Sequence, residues 1–361
     1  MPPSPPTLAD LERRRAMYTA ELALGTDRFQ EPRRDDCPWC GSRRLRTRLR
    51  APDLLQRKPG TFAVDECRDC GHAFQNPRLT ADGLAFYHQD FHEGHPEDLA
   101  ERVLAARAGR RRHRRAAREM LGLLPPEPES WLDVGTGDAR FPQAARELFP
   151  YTSFDGLDPT FRVAEARREE RVEEAHWGHL TTPGVLDRLR SRYDVVSMFH
   201  HLEHTPDPRA ELHAALAVLR PGGHLLVEVP DPRSAFATLL GKWWLPHCQP
   251  RHLHLVPLDN LRAELESHGC TVLRTDRGTP HIPYDLSAAL SLALGRALPP
   301  PDVPWRPGPP NELQRALRAV LLRATTPLVA AAALLDHALA PLFRRTCFSN
   351  AYRVIARKGL G

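Results

Sequence analysis

A glycine turn between two apolar segments is the part of this sequence that most clearly predicts chemistry. Trp131–Val134 runs into Gly135, Thr136 and Gly137, and a second short apolar run ends at Asp158. Glycine lets the backbone approach a ligand where a Cβ atom would collide. An acid at the end of the next strand can accept both hydroxyl hydrogens of a ribose. The spacing therefore predicts the first half of a nucleotide-binding βαβ unit.

The residues around this turn narrow the choice of nucleotide. A dinucleotide site has a third glycine where this chain has Arg140, and the carboxylate of Asp133 would repel a pyrophosphate. S-adenosylmethionine (SAM) has a ribose and two cationic groups but no phosphate, so it suits Asp133 better. The turn alone leaves other nucleotides and a plain structural turn open.

Two later segments complete an ordered set of motifs. Residues 193–208 read YDVVSMFHHLEHTPDP, and residues 219–230 read LRPGGHLLVEVP. Together with LDVGTG and GLDP, they resemble a class I SAM-dependent methyltransferase over roughly residues 100–358. The resemblance implies an α/β fold with a Rossmann-like sheet of seven strands, the last of them antiparallel.

The resemblance also implies which residues contact SAM. Asp133 would hold the methionine ammonium and Asp158 the ribose hydroxyls, while the segment after the third core strand would contact the adenine. The end of the fourth core strand would face the sulfonium. The predicted cofactor set is Asp133, Gly135, Thr136, Gly137, Asp158, Gly178, His179, Leu180, Phe199 and His200.

A histidine-rich segment follows the fourth core strand. Methyl transfer to a hydroxyl needs a group that removes the proton, and histidine suits this with an ordinary pKa of about 6.5. His201 and His204 are three residues apart and would share one face of a helical turn, so either is a candidate base with Glu203 as the orienting acid. A purely structural role for the Glu-His pair remains equally open.

A divalent metal is a second interpretation of the same segment. His200, Glu203 and His204, with His252 or His254, resemble the Glu-x-x-Glu-His motif of metal-assisted methyltransferases, with a histidine in place of the first acid. That change favours Zn²⁺ or Mn²⁺ over Mg²⁺. Otherwise His252 and His254 would line the acceptor pocket.

Two Cys-x-x-Cys pairs predict a structural Zn²⁺ site. Cys37, Cys40, Cys67 and Cys70 supply four thiolates, which leave no open coordination position. Two unrelated pairs or a redox disulfide are the alternatives. The segment resembles the zinc ribbon of bacterial methyltransferases from natural-product and surface-glycan pathways, and its ligand spacing matches ribosomal-RNA methyltransferases poorly.

The elements that position these residues divide the chain into five parts. Apolar runs alternate with helix-like segments, which predicts a parallel sheet covered on both faces. The parts are an N-terminal helical extension (1–32), the ribbon (33–80), the SAM-binding core (81–280), an apolar helical insertion (281–348) and the last core strand (349–361).

The insertion has two open interpretations, a lid over the acceptor pocket or a lid that also makes peripheral contact with a membrane. Residues 317–343 form a long apolar stretch, but Asp336 and two prolines argue against a membrane span. Together with residues 286–298 and the pair Trp243-Trp244, residues 281–347 could form an interfacial patch.

The charge and cysteine content indicate which cellular compartment and which binding partners to expect. The formal net charge is +5, and an arginine run covers residues 107–118. No aromatic residues interrupt the run, which favours a solvated helix over a nucleic-acid contact. The paired cysteines and the absence of an apolar core in residues 1–15 favour a cytoplasmic protein.

These features predict SAM-dependent O-methylation of a small-molecule, sugar or lipid-linked glycan acceptor. Two enzymatic alternatives stay open: an RNA methyltransferase that uses the ribbon and the arginine run, and a C- or N-methyltransferase of a secondary metabolite. A binding module without catalysis is disfavoured because Asp133, Gly135, Gly137 and Asp158 are all present.

Overall fold

The structure is a computed structural model that describes residues 8–90, 99–124 and 126–360. The first seven residues of the predicted N-terminal extension and the side chain of Arg107 in the arginine run lie outside the described part.

The strands belong to two sheets. In chain order they are β1 (Leu45–Pro52), β2 (Thr61–Cys67), β3 (Ala73–Gln75), β4 (Ser130–Val134), β5 (Ser153–Asp158), β6 (Ala175–Trp177), β7 (Tyr193–Phe199), β8 (Leu219–Pro230), β9 (His254–Leu255), β10 (Thr271–Asp276) and β11 (Ala351–Arg357).

The helices cover both faces of the larger sheet and form the insertion. In chain order they are α1 (Leu8–Ala23), α2 (Ala81–His88), α3 (Leu99–Leu121), α4 (Arg140–Ala145), α5 (Arg162–Arg168), α6 (Pro183–Leu189), α7 (Pro208–Val218), α8 (Ala235–Leu239), α9 (Leu258–Ser267), α10 (Asp285–Ala297) and α11 (Glu312–Phe343).

The larger sheet has seven strands in the order β10-β11-β8-β7-β4-β5-β6. The pairs among β4, β5, β6, β7 and β8 are parallel, and β11 is antiparallel to both β8 and β10. The predicted Rossmann-like fold with an antiparallel last strand is confirmed. The strand order reverses between β4 and β7, and ligands of open α/β sheets bind at the carboxyl ends of the strands beside such a point.

Apolar side chains bury both faces of this sheet. On one face Trp131 packs with Phe141, Phe149 and Phe154, under the Ala116–Met120 end of α3. Each large apolar side chain buried in this way contributes about 1.5–3 kcal/mol. The core therefore holds the strand ends, and the turns that follow them, in fixed positions.

The smaller sheet has the order β1-β2-β3-β9. Its strands β1, β2 and β3 all lie within the predicted ribbon, residues 33–80. Its fourth strand, β9, comes from the region after β8 and pairs with β3 through Phe74 and His254. The sequence did not predict this strand, because two residues carry no periodic signal.

The insertion contains α10 and α11, and a buried acid joins them. The Asp336 carboxylate on α11 accepts hydrogen bonds from the amides of Leu286 and Ser287 at 3.0 and 2.9 Å, so it caps the start of α10. Among the described helices, α11 is the one whose length and composition would allow it to cross a membrane. The expectation that Trp244 contributes to an interfacial patch is wrong, because its ring is fully buried and its indole N–H donates to Asp285 at 2.8 Å.

Candidate active site at the carboxyl edge of the sheet

The glycine turn after β4 adopts a backbone that other residues rarely accept. Gly135 and Gly137 have φ values of +72° and +51°. A Cβ atom at Gly135 would lie 2.5 Å from Nδ1 of His201, so the turn packs directly against that ring. The left-handed backbone favours glycine at both positions, and the close approach to His201 adds a second requirement at Gly135.

Asp133 is a buried carboxylate at the end of β4. Its oxygens accept hydrogen bonds from the hydroxyls of Ser197 and Thr136 at 2.6 and 2.8 Å. Burial raises the pKa of Asp133 to about 7, against the opposing effect of these two hydrogen bonds. A bound cation would stabilise the charged form, which fits the ammonium of SAM.

Asp158 ends β5 and points toward the glycine turn. Its Oδ2 accepts the amide of Gly137 at 2.9 Å, and its Oδ1 accepts the amide of Thr160 at 2.8 Å. Its register partner on β6 is Trp177, a residue that is 76% exposed and whose indole N–H donates to the carbonyl of Pro159. Sequence reasoning did not include Trp177 in the cofactor set, although an aromatic residue at the end of the third core strand was the available signal.

The predicted adenine segment follows Trp177. The amide of Gly178 donates to the carbonyl of Asp158 at 3.2 Å, and His179 is exposed beside it. Leu180 is fully buried within the main core cluster, so its side chain packs the core instead of facing the edge. Gly178 and His179 thus lie at the carboxyl edge, whereas the side chain of Leu180 does not, and contact with adenine stays a prediction.

His200, at the end of β7, lies between two acids and an arginine. Its Nδ1 is 3.2 Å from Glu203 Oε1, while its Nε2 is 3.2 Å from Arg112 and 3.4 Å from Glu228 Oε1. Burial would lower the pKa of His200, but Glu203 and Glu228 outweigh it and raise the pKa. The preceding Phe199 stacks against the aromatic core on α4, which anchors the strand end.

A buried network of ion pairs, which the sequence did not reveal, contacts His200. Glu228 is fully buried and accepts the Nε–H of Arg353 at 3.0 Å, and Arg353 also donates to Glu119 at 2.8 Å. Burial would raise the pKa of Glu228, but the arginines Arg353 and Arg112 hold it well below its usual value. Arg112 therefore faces the site, although it belongs to the run predicted to be solvated.

His201 is held behind the glycine turn. Its Nε2 is 3.0 Å from Glu211 on α7, and its Nδ1 lies against Gly135. Burial would lower the pKa of His201, but the hydrogen bond and charge of Glu211 outweigh it and raise the pKa. Glu211 holds one ring nitrogen and the other lies behind the glycine turn, which makes His201 a poor candidate for a base.

His204 points elsewhere, so the expectation that it shares a face with His201 is wrong. The 3₁₀ turn begins at Leu202, and His201 is its N-cap residue. Nδ1 of His204 is 3.2 Å from the carbonyl of Arg251, which leaves Nε2 as the free nitrogen. Burial, and then the neighbouring His252 and Arg251, lower the pKa of His204 well below its usual value.

Glu203, His204 and His252 form a cluster of acceptor atoms. One ligand atom from each lies within 4.8 Å of the others. Glu203 Oε2 is buried without a hydrogen-bond partner, and Nδ1 of His252 is 2.7 Å from the carbonyl of Pro246. Burial lowers the pKa of His252, so both rings are neutral bases near neutral pH. The cluster suits a hydroxyl group or a metal ion.

His254 does not join this cluster. Its Nδ1 is 3.2 Å from His72 and its Nε2 is 3.1 Å from the carbonyl of Pro206. Of the two histidines left open by the sequence, His252 is the one that places a nitrogen beside Glu203.

The four predicted cysteine ligands lie together in the ribbon. Their sulfur atoms are all within 4.8 Å of one another, with Cys37–Cys70 at 3.7 Å and Cys40–Cys67 at 3.6 Å. Tetrahedral Zn–S bonds of about 2.3 Å require sulfur separations near these values. The distances are too long for disulfide bonds. The residues present therefore fit a closed zinc site.

Comparisons with known proteins relate the chain to methyltransferases. A family model described as a methyltransferase domain matches residues 108–275. Ubiquinone biosynthesis O-methyltransferases from Alkalilimnicola ehrlichii and Erwinia tasmaniensis are 29% and 31% identical to the chain. Each match covers 34% of this chain, and they cover 51% and 52% of the two relatives. The chain thus spans about half the length of the curated relatives it matches.

The solved structures that are similar to the chain include a SAM-dependent methyltransferase from Archaeoglobus fulgidus. Its sequence is 15% identical to this chain, and the TM-score is 0.42. That match covers 69% of this chain and 94% of the other.

Proposed function

We propose that the chain is a class I SAM-dependent methyltransferase, whose residues 108–275 match the methyltransferase-domain model, and that it transfers a methyl group to an oxygen atom of a small-molecule acceptor. The observation that carries the proposal is the acceptor cluster of Glu203, His204 and His252. Three acceptor groups lie together, and Glu203 Oε2 has no donor. An alcohol or phenol would supply the missing donor.

The cofactor side of the site rests on residues that fit SAM. Asp133 would bind the ammonium, the Gly135–Gly137 turn would pass beneath the cofactor, and Asp158 would accept the ribose hydroxyls. Trp177 joins this set as an exposed aromatic surface beside Asp158. When bound, SAM supplies an electrophilic methyl group; the protein's task is to position the acceptor and exclude water.

His204 is the proposed base for the acceptor hydroxyl. Its Nδ1–H donates to the Arg251 carbonyl, which fixes the ring as the tautomer with a lone pair on Nε2. Its lowered pKa keeps it neutral before the reaction, and the carboxylate of Glu203 beside it stabilises the charge that develops when it takes the proton. His201 acts as a positioning residue that supports the glycine turn.

A divalent cation at Glu203, His204 and His252 is the second candidate. The orphaned Oε2 of Glu203 and the two neutral rings suit Zn²⁺ or Mn²⁺. A bound cation would lower the pKa of a coordinated hydroxyl, which replaces the need for a base. His200 is excluded from the ligand set that we propose, because Glu203, Arg112 and Glu228 surround its nitrogens.

Metal analysis of purified protein distinguishes these two candidates. If a cation acts here, His252→Ala should lower the metal content by about one ion per chain and abolish activity, while the ribbon keeps its zinc. If His204 acts as a base, His252→Ala leaves the metal content unchanged.

Methylation assays with a panel of catechols, phenols and sugars test the main proposal. Mass spectrometry should detect a product that carries one added methyl group on oxygen. Glu203→Gln should reduce its formation, and exposed His337→Ala is the control that should not. Methylation of carbon or nitrogen acceptors alone would contradict the proposal.

RNA is a weaker acceptor class for this site. Within the arginine run, Arg112 faces the active site, and Arg110 and Arg114 both pair with Glu147. Fewer guanidinium groups than the sequence suggests are therefore available to bind phosphates. Among small molecules, a sugar or a lipid-linked glycan remains part of the proposal.

We also propose that the four cysteines hold a structural Zn²⁺. The sulfur separations support this, and the four thiolates leave no position for a substrate.

A further inference from the structure

Helix α11 presents a continuous apolar face to solvent. Its 18-residue apolar window has a mean hydropathy of 1.5, and only 6% of that window is buried. Exposed apolar residues recur every three or four positions along its whole length, as expected for one face of a helix. They are Leu313, Leu317, Val320, Ala324, Leu328, Ala331, Leu335, Ala338 and Leu342.

The exposed apolar surface is wider than this single stripe. Leu334 is 73% exposed and lies about 100° around the helix from Leu335. Between residues 324 and 343 the one charged side chain is that of Asp336, which is buried and caps α10. A partner helix would cover a narrow seam, whereas a lipid surface would cover the full width.

Four arginines collect at one end of the α10–α11 hairpin. Arg296 lies in the last turn of α10 and Arg318 near the start of α11, where it donates to the carbonyl of Pro299 at 2.5 Å. Arg306 lies in the connecting loop. Arg57 reaches the same place from the loop before β2, since a Cβ atom at Gly295 would be 3.5 Å from its guanidinium.

These four arginines have no acidic counterparts in the part of the chain that the structure describes. The nearby Asp302 is already paired with Arg15 at 2.7 Å. Burial, followed by the charges of Arg318, Arg296 and Arg306, lowers the pKa of Arg57 to about 10. The cluster thus lacks compensating negative charge, which an anionic ligand would supply.

We propose that α11 lies in the interface of an anionic lipid bilayer and that Arg57, Arg296, Arg306 and Arg318 bind lipid phosphates there. An apolar helix with arginines at one end matches acyl chains beside charged headgroups. The helix lies on the membrane without crossing it, because Asp336 and Phe343 fasten its second half to α10 and to Phe236. The proposal does not depend on methyl transfer.

Flotation of the full chain with vesicles tests this proposal. The protein should float with vesicles that contain phosphatidylglycerol and remain unbound with phosphatidylcholine alone. Arg57→Gln/Arg296→Gln/Arg306→Gln should weaken binding roughly a hundredfold, because each basic residue near an anionic surface contributes about fivefold. Leu328→Gln/Leu334→Gln should also release the protein.

Matched variants separate this site from general charge and hydrophobicity. Arg111→Gln/Arg115→Gln/Arg118→Gln on α3 removes the same charge, and Leu360→Gln alters a leucine that is 73% exposed, as Leu334 is. Both controls should float like the parent, and circular dichroism melting should confirm that every variant is folded.

Three outcomes would overturn the proposal. They are equal binding to phosphatidylcholine vesicles, equal loss of binding in the α3 variant, and sedimentation as a dimer through α11 without flotation. None of them bears on methyl transfer, so they leave the proposed function untouched.

Discussion

The Nε2 atom of His72 lies 3.2 Å from Nδ1 of His254, in a buried stack of the two rings. His72 Nδ1 is 4.0 Å from the sulfur of Cys37, and His254 Nε2 is 3.1 Å from the carbonyl of Pro206. A chain of side chains thus joins the cysteine cluster to the loop that carries Glu203 and His204.

Backbone hydrogen bonds make a second connection between the same parts. The amide of Gln75, at the end of β3, donates to the carbonyl of Leu253, whose own amide donates to the carbonyl of Glu203, each at 2.8 Å. Hydrogen bonds therefore connect the ribbon to the loop after β7, which carries Glu203 and His204. We infer that the ribbon positions the loop.

Loss of zinc should consequently affect catalysis as well as stability. We expect about one zinc ion per chain in protein purified without chelator. Cys70→Ser should lose the zinc, lower the melting temperature by more than about 5 °C, and reduce turnover more than SAM affinity. The exposed Cys347 offers a control, since Cys347→Ser should change none of these. Zinc-free protein with all four cysteines intact would refute the site.

The core strands were predictable because buried parallel strands are continuous apolar runs. The parallel strand β7 begins the motif of residues 193–208, and the antiparallel strand β11 lies inside the predicted last core segment, 349–361. The third core strand is only Ala175–Trp177, and the charged residues before it, Glu173 and Glu174, leave no apolar run that would predict its start. Spacing was enough to identify the glycine turn and Asp158 as a nucleotide-site pattern, whereas the SAM roles of Asp133 and Asp158 came from the family resemblance.

The roles of the residues in the loop after β7 were harder to predict, because they depend on contacts with residues distant in sequence. His201 and His204 look equivalent in a helical pattern, yet Glu211 holds one and the Arg251 carbonyl the other. The contact between Arg112 and His200 joins residues far apart in the chain, and no local periodicity encodes it. In the sequence, Asp336 is only a charge that interrupts an apolar stretch, because its hydrogen-bond partners on α10 cannot be identified from the sequence.

Asp158 should contribute directly to cofactor affinity. Asp158→Ala removes the proposed ribose ligand and the acceptor for the Gly137 amide, so SAM should bind at least about tenfold more weakly, or about 1.4 kcal/mol. Isothermal titration calorimetry measures this, with the exposed Asp187→Ala as control. Unchanged affinity in Asp158→Ala would remove the ribose assignment.

SAM affinity should depend on pH through Asp133. Its pKa is raised to about 7 in the cofactor-free protein, so below that pH the carboxyl group is mostly neutral and attracts the ammonium less. Affinity should therefore fall as the pH decreases below about 7, by at most about tenfold per unit. Asp133→Asn should bind weakly at every pH. A parent profile that is flat through this range would argue against the ammonium contact.

Acid should destabilise the protein through buried histidines such as His113. Burial, first, and then Arg112 lower the pKa of His113 to about 3, while the unfolded residue titrates near about 6.5. The unfolded state binds more protons between these values, so the free energy of unfolding decreases as pH falls through that window. His113→Phe should reduce this decrease in melting experiments. The same change at exposed His337 should leave the pH dependence as in the parent.

Substitution of His204 should affect turnover, whereas substitution of His201 should affect SAM binding and stability. His204→Ala removes the proposed base, so kcat should fall by about 10²–10⁴ with SAM affinity retained. His201→Ala leaves Glu211 buried without its partner and removes the ring that packs on Gly135, so SAM affinity and stability should fall together. Steady-state kinetics on an acceptor from the panel and calorimetry with SAM measure the two effects. A fully active His204→Ala enzyme would contradict the role of His204 as the base. Glu203 or a bound cation would then have to account for the loss of the acceptor's proton.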